Sequence, residues 1–252
     1  MAILNSEIES QLTKEGASLA GFADISSLPT DVRGSMKSAI SIAAALDAST
    51  INEISGGPTQ RYYEEYKRAN EFLRRLCIST VNYLNRRGNK AVAIKPTVEI
   101  GELNKKTLTT SLPHKTVATR AGLGWIGKSA LLITERYGAA VRLATILTDG
   151  QFRTGNPIDS SRCGDCMKCA VCCPAKAISG KNWKIGLERE FIYDAFACCA
   201  TATSLSRKIE IRLTICGICI NVCPWTQKYI SRELTNMNKR SKQKLAPAET
   251  DE

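Results

Sequence analysis

The sequence lacks any apolar run near the ~18 residues that a membrane span requires; its longest apolar stretches are broken by Arg, Thr or Gly. Its opening, MAILNSEIESQLTKEG, has no basic leader followed by an apolar block and a cleavage site. These absences set the expectation of a cytoplasmic protein with no membrane partner. Repeats and low-complexity tracts are missing too, and 43% apolar residues exclude a disordered or fibrous chain. Histidine is confined to His114.

Acidic residues are in short supply: 24 Asp and Glu against 35 Lys and Arg, a formal net charge of +11. The excess points to solubility or to an anionic partner. It is shared almost evenly between the two halves, so neither is a basic arm. The exception is the tail at 229–252, where Lys239, Arg240, Lys242 and Lys244 crowd before an acidic end. This basic tail reads as a solvated helix end, and a weaker reading gives it RNA.

What is abundant is cysteine: eleven, ten of them between 163 and 223. Outside an oxidising compartment such density signals metal ligation rather than disulfides. Residues 163–174 run Cys163-x2-Cys166-x2-Cys169-x3-Cys173-Pro174, the ligand run of bacterial ferredoxins. In that run three thiolates wrap one cluster and the fourth reaches the other, which requires a second motif. It is present as Cys216-x2-Cys219-x3-Cys223-Pro224, with Leu213 where a further upstream cysteine would stand. The crossed logic assigns Cys163, Cys166, Cys169 and Cys223 to cluster one. Cluster two takes Cys173, Cys216, Cys219 and Cys198, with Cys199 as the alternative. Cys172 is expected to be a spectator and Cys77 plain core. Zinc sites use Cys-x2-Cys pairs but rarely in this repeated, proline-terminated form. Two [4Fe–4S] clusters are therefore expected.

Coarse patterning predicts a helix near 5–20, strands at GFADIS, AISIAAAL (39–46) and AVAIKP (91–96), and a long amphipathic helix over 58–88 stopped by Gly88. ALLIT (130–134) and AAVRLATILTD (139–149) read as a β-hairpin around ERYG. The expected fold class is α/β (α+β): an N-terminal domain at 1–150, a Gly/Pro/Ser-rich connection, and a ferredoxin-like two-cluster module at 151–228.

AGLGWIGKS (121–129) matches both the dinucleotide fingerprint and the phosphate loop. Its context is wrong for both, because SLPHKTVATR before it is a poor buried strand and ALLIT after it is the strand. The glycines imply either close backbone approach to something bulky or a tight turn that packs Trp125 into the core.

RAGLGWIGK, the following hairpin pattern and both cysteine motifs through CPWTQKY resemble the epoxyqueuosine reductase family over about residues 110–229, and more distantly the reductive dehalogenases. The resemblance implies clusters that feed a cobalamin, with Arg120, Gly122, Gly124, Trp125, Gly127 and Lys128 forming the cofactor pocket. His114 and Lys128 are the catalytic candidates: His114 as a proton donor near neutrality, Lys128 facing anionic groups. The family's proton-donating Asp has no counterpart, since residues 103–148 contain no Asp, and no helical-repeat region follows the cysteines. These departures set the expectation that transfer RNA is not a partner. The function expected is an iron–sulfur reductase supplied by a ferredoxin or flavodoxin, acting on a small molecule or modified nucleoside. The alternative is a non-catalytic electron carrier or activator.

Overall fold

A computed structural model describes residues 2–98, 103–104 and 106–245, apart from the side chains of 2–3 and 241–245. The chain order is α1 (Ala2–Lys14), β1 (Leu19–Asp24), α2 (Thr30–Arg33), β2 (Ser38–Ala45), α3 (Ala48–Asn52), α4 (Gln60–Arg86), β3 (Ala91–Ile94), α5 (His114–Arg120), β4 (Trp125–Ile126), β5 (Leu132–Ile133) and β6 (Val141–Thr148). The cysteine-rich part adds α6 (Lys168–Val171), a 3-10 turn (Arg189–Phe191), α7 (Ala195–Arg207), α8 (Ile218–Asn221) and α9 (Pro224–Leu245). Among the described residues no helix is long and apolar enough to cross a membrane.

The central sheet has the order β1-β2-β6-β3, and every pairing is antiparallel. Alternation along the strands sends Ile40, Ile42, Ala144 and Ile146 to one face, where α1 and α4 cover them with Ile8, Leu12, Leu73 and Leu76. Ala39 and Leu147 point to the other face, against Val117 of α5 and Ala121 just after it. Helix α4 forms as its pattern predicts. Thr59 Oγ1 accepts from the Tyr62 amide at 3.0 Å, and the helix ends before Gly88 at φ +80°. Its Glu65 is buried but satisfied, accepting the Asp47 amide at 2.8 Å and a two-pronged pair from Arg68.

The expected hairpin of 130–134 with 139–149 does not form. Leu132 and Ile133 of β5 pair with Ile126 and Trp125 of β4, and only an isolated Thr134–Gly138 bridge links the two segments. The reason is competition: β6 is hydrogen-bonded to β2 on one side and to β3 on the other. ALLIT is left to fold back on the glycine stretch.

The connection after β6 is a fixed strap. The Gly155 amide donates to Phe22 O at 2.8 Å, Ile158 to Thr119 O at 3.0 Å, and Arg153 to Asn5 Oδ1 at 2.9 Å. The boundary expected at 228/229 falls inside α9, whose Tyr229 and Ile230 are buried. They join one apolar core with Leu46, Ile51 and Tyr62 from the sheet side and Ile211, Ile215 and Ile218 from the cysteine side. The last residues of the basic tail, 246–252, lie outside the described residues.

Candidate functional site

The two cysteine motifs fold alike. In the first, Val171 N donates to Met167 O at 3.0 Å and Cys173 N to Ala170 O at 3.4 Å. In the second, Asn221 N donates to Gly217 O at 3.0 Å and Cys223 N to Ile220 O at 3.4 Å. Each motif is one short helical turn between its cysteines, and α6 and α8 touch. Gly217 starts α8 at φ +88°, where an added Cβ would meet Ile54 Cδ1 at 2.7 Å. That position requires glycine.

The thiols fall into two neighbourhoods. Burial pushes Cys169 up to about 11, helped by the nearby sulfurs of Cys163, Cys223 and Cys166. Cys219 is raised by burial and then by Cys216, Cys198, Cys169 and Cys173, so it lies near sulfurs of both motifs. Cys216, likewise raised by burial, feels Cys198 and Cys173. Cys198, on α7, is felt by both Cys216 and Cys219. Asp194 sets that helix by accepting the Phe196 and Ala197 amides at 3.0 and 2.9 Å. Cys172 is exposed and Cys77 is buried core.

The surroundings fit anionic clusters. Trp125 is fully buried with Cys163 and Cys223, and its Nε1 donor has no protein partner. A buried unpaired donor costs about 1–3 kcal/mol, and an acceptor held by those cysteines is what that packing group lacks. Tyr193 hydrogen-bonds Cys198, and its phenol is raised by burial and by that contact. Among the described residues no three His, Cys, Asp or Glu converge on a single metal ion, so the sets rest on thiol proximity.

A cavity of about 1290 Å³ lies between α4, the β3 end, α5 and the cysteine region. Cys173, Cys198, Cys216 and Cys219 all line it, and none of Cys163, Cys166, Cys169 and Cys223 does. Its walls are basic. Arg142 is held by Asn70 Oδ1 at 3.0 Å and Tyr66 OH at 3.3 Å, with its guanidinium 4.3 Å from the Tyr66 ring centroid. Lys115 Nζ donates to Ala130 O at 2.7 Å, and burial, then Arg189, lowers it to about 8. Among the described residues neither Arg142 nor Lys115 pairs with a carboxylate. Burial opposes ionisation of Tyr66, yet its phenol is lowered overall by Arg142 and by hydrogen bonds from Thr97 and Asn70.

The loop residues expected to bind a cofactor face protein instead. A Cβ on Gly122 would meet Asn156 O at 2.8 Å, on Gly124 Ile133 O at 2.2 Å, and on Gly127 Ile133 Cγ1 at 2.7 Å. Arg120 bonds Asp159 and Ile158 O, tying α5 to the strap. Lys128 is buried with Nζ 3.6 Å from Met167 Sδ. Of residues 120–131, those lining the cavity are Ser129 and Leu131. The glycines thus serve backbone packing, with Trp125 in the core. His114 starts a helix rather than sitting in a loop. Its Nε2 is 2.8 Å from Lys95 O, which only accepts, so Nε2 carries the proton and Nδ1 accepts from Thr145 Oγ1 at 2.9 Å. Burial lowers its pKa, and Arg142 adds to this. The cavity residues Lys115 and Arg142 have no motif to announce them.

Residues 162–226 match the family described as 4Fe-4S double cluster binding domain. An epoxyqueuosine reductase of Cyclobacterium marinum is 31% identical over 140 residues, covering 51% of this chain and 42% of that protein. The chain thus spans under half the length of that curated relative. In fold it is similar to an epoxyqueuosine reductase solved with an epoxyqueuosine-modified tRNA stem loop: TM-score 0.61, 20% identity, covering 90% of this chain and 66% of that one. A reductive dehalogenase described in terms of B12-dependent dehalogenation gives TM-score 0.64 at 19% identity over 87% of this chain and 32% of that one. The expectation against transfer RNA is overturned here, because the first of these structures, an epoxyqueuosine reductase, holds a tRNA stem loop. The lack of an Asp within 103–148 was too narrow a ground for it. The chain carries a 4Fe-4S binding domain and is similar over about half of its length to an epoxyqueuosine reductase.

Proposed function

We propose that this chain is an iron–sulfur reductase whose substrate binds in the basic cavity. Cys163, Cys166, Cys169 and Cys223 would hold one [4Fe–4S] cluster, and Cys173, Cys198, Cys216 and Cys219 the other. When bound, the clusters supply one-electron storage and transfer. One observation carries the reading: the whole second cysteine set lines the cavity and the first set stays outside it. A simple carrier has no need of such a large cavity against its inner cluster, so the reductase is favoured over the electron carrier.

The chain's own residues define what enters. Arg142 is locked by Asn70, Tyr66 and Pro96 O, which take its Nε and Nη2 and leave Nη1 and the positive charge for an oxyanion. Lys115 adds a second cation, and Tyr66, readied by Arg142, is an O–H donor on the same wall. The substrate class is therefore anionic. A modified nucleoside in transfer RNA satisfies that chemistry and is the substrate that the relatives' names supply.

A second reading adds a corrinoid in the cavity. Its volume, above the ~300–1,000 Å³ of ordinary ligand sites, supports this, as does the fold likeness to the B12-dependent dehalogenase. The residues that would meet the group are then those of the cavity wall, not Gly122–Gly127. The test is anaerobic reconstitution, iron and sulfide analysis, cobalamin titration by visible absorption, and turnover of an epoxyqueuosine-modified stem loop. Iron-loaded protein that turns over the stem loop supports the reductase; iron-free protein after reconstitution overturns it.

A further inference from the structure

Lys128 is buried without a counter-ion. It is 4% exposed, and among the described residues no carboxylate pairs with it. Its Nζ meets the Met167 thioether at 3.6 Å, and a thioether is a weak, neutral acceptor. Taking an ammonium out of water is costly unless an anion faces it. An anion is therefore what this position lacks.

The surroundings of Lys128 belong to the first cysteine motif. Met167 stands between Cys166 and Cys169 in the chain. Gly127, the residue before the lysine, lies so close to Cys163 that a Cβ on it would stand 3.5 Å from the sulfur. Trp125, on the same loop, is packed with Cys163 and Cys223, and its Nε1 is a second buried donor, with no protein partner. Two under-satisfied donors of one loop thus border one set of thiols. The other cations beside this set are otherwise engaged: Arg162 pairs with Glu135 at 2.7 Å, and Lys168 stands in water. Neither Lys128 nor Trp125 lines the cavity, so neither touches what binds there.

We propose that Lys128 is the buried counter-charge of the outer cluster, the one held by Cys163, Cys166, Cys169 and Cys223, and that it raises that cluster's reduction potential. The proposal rests on the iron–sulfur reading above. A thiolate-bound cluster is anionic, and its potential follows its net charge and its surroundings. Reduction adds one electron from the reductant and makes the cluster more anionic; no bond or proton moves, and Lys128 keeps its charge. A fixed cation in a dry setting therefore favours the reduced form. The phosphate-loop match of Gly127, Lys128 and Ser129 is explained in the same way: the lysine faces an inorganic anion, but one of iron and sulfide.

The test is a redox titration of the full, anaerobically reconstituted chain, with dithionite as the one-electron reductant and both clusters followed by electron paramagnetic resonance. The outer cluster is the one whose signal survives Cys198→Ala. Lys128→Met, similar in shape but uncharged, is expected to lower the equilibrium constant for its reduction about tenfold or more, a fall of about 59 mV for one electron. Lys128→Gln keeps a donor without the charge and should fall with it. Lys128→Arg keeps the charge and should hold the potential of the unaltered chain. The inner cluster should shift much less in all three. A potential unchanged in Lys128→Met, or kept by Lys128→Gln, overturns the counter-charge. Should the neutral variants shed about half of their iron instead, full loading of Lys128→Arg supports the proposal and a matching loss in Lys128→Arg overturns it. Iron-free unaltered protein would bring down the reading of the site itself, and this proposal with it.

Discussion

Gly127 lies directly under Cys163: a Cβ on the glycine would stand 3.5 Å from the cysteine Sγ and 2.7 Å from Ile133 Cγ1. Ile133 is 2% exposed and packs with Cys163, Cys223 and Trp125, so it has nowhere to retreat. Gly127→Ala should therefore keep the fold but lose about half of the iron, with the loss confined to the outer set. Gly124→Ala meets the Ile133 carbonyl itself at 2.2 Å and should unpair β4 from β5, at a cost of about 3 kcal/mol. Denaturant titration and iron analysis separate the two effects.

Cys198 and Cys199 should behave differently despite being neighbours. Cys198→Ala removes a sulfur that Cys216 and Cys219 both feel, and should halve the bound iron. Cys199→Ala should leave iron and the electron paramagnetic resonance spectrum of the reduced protein unchanged. The reverse result would move the ligand by one position along α7.

Removing the Tyr193 hydroxyl deletes a hydrogen bond to Cys198. Hydrogen bonds to cluster sulfur favour the reduced, more negative state. Tyr193→Phe should lower the potential of the inner cluster by about 60 mV, the one-electron equivalent of roughly 1.4 kcal/mol. Redox titration followed by electron paramagnetic resonance measures it, and iron content should not change.

Lys115 is cationic below about pH 8 and neutral above it, because burial and Arg189 disfavour its charge. Binding of an anion to the cavity should be strongest below that value and weaken as pH rises through it. Lys115→Met should flatten the profile, read by titrating the stem loop or another phosphate-bearing ligand across pH 6.5 to 9.5.

His114→Ala should act on stability rather than on proton supply. Its two nitrogens bridge β3 to β6 through Lys95 O and Thr145 Oγ1. Leaving the buried Thr145 hydroxyl without its partner should cost about 1–3 kcal/mol in chemical denaturation, while the pH profile of turnover keeps its shape. A lost acid limb with stability intact would restore His114 as a proton donor.

Where local spacing decides structure, the sequence is easy to read. Tyr62, Leu73 and Leu76 fall on one side of a helix, and Ile40 and Ile42 alternate with Ala39 in a strand. The cysteine spacings group the sulfurs because each motif is a single turn. ALLIT was misread because a short apolar run carries no information about its partner; β6 was already paired on both edges. The cavity was hidden for a geometric reason. Lys115 follows His114 by one residue, and a helix rotates about 100° per residue. One side chain therefore faces the sheet and the next faces the cavity. Arg142 and Tyr66 come from β6 and α4, far from either in sequence.

The apolar core that unites Leu46, Ile51 and Tyr62 with Ile215, Tyr229 and Ile230 has a mechanical consequence. Two bodies joined only by a polar seam would open like jaws to admit a ligand. Here the seam is oily and is pinned by the Tyr229 hydroxyl on Leu46 O at 2.8 Å, so the chamber has no hinge. The cavity therefore keeps its shape when a group enters, and the fit of that group to a fixed wall, not its ability to pry the protein apart, is the first filter on what is bound.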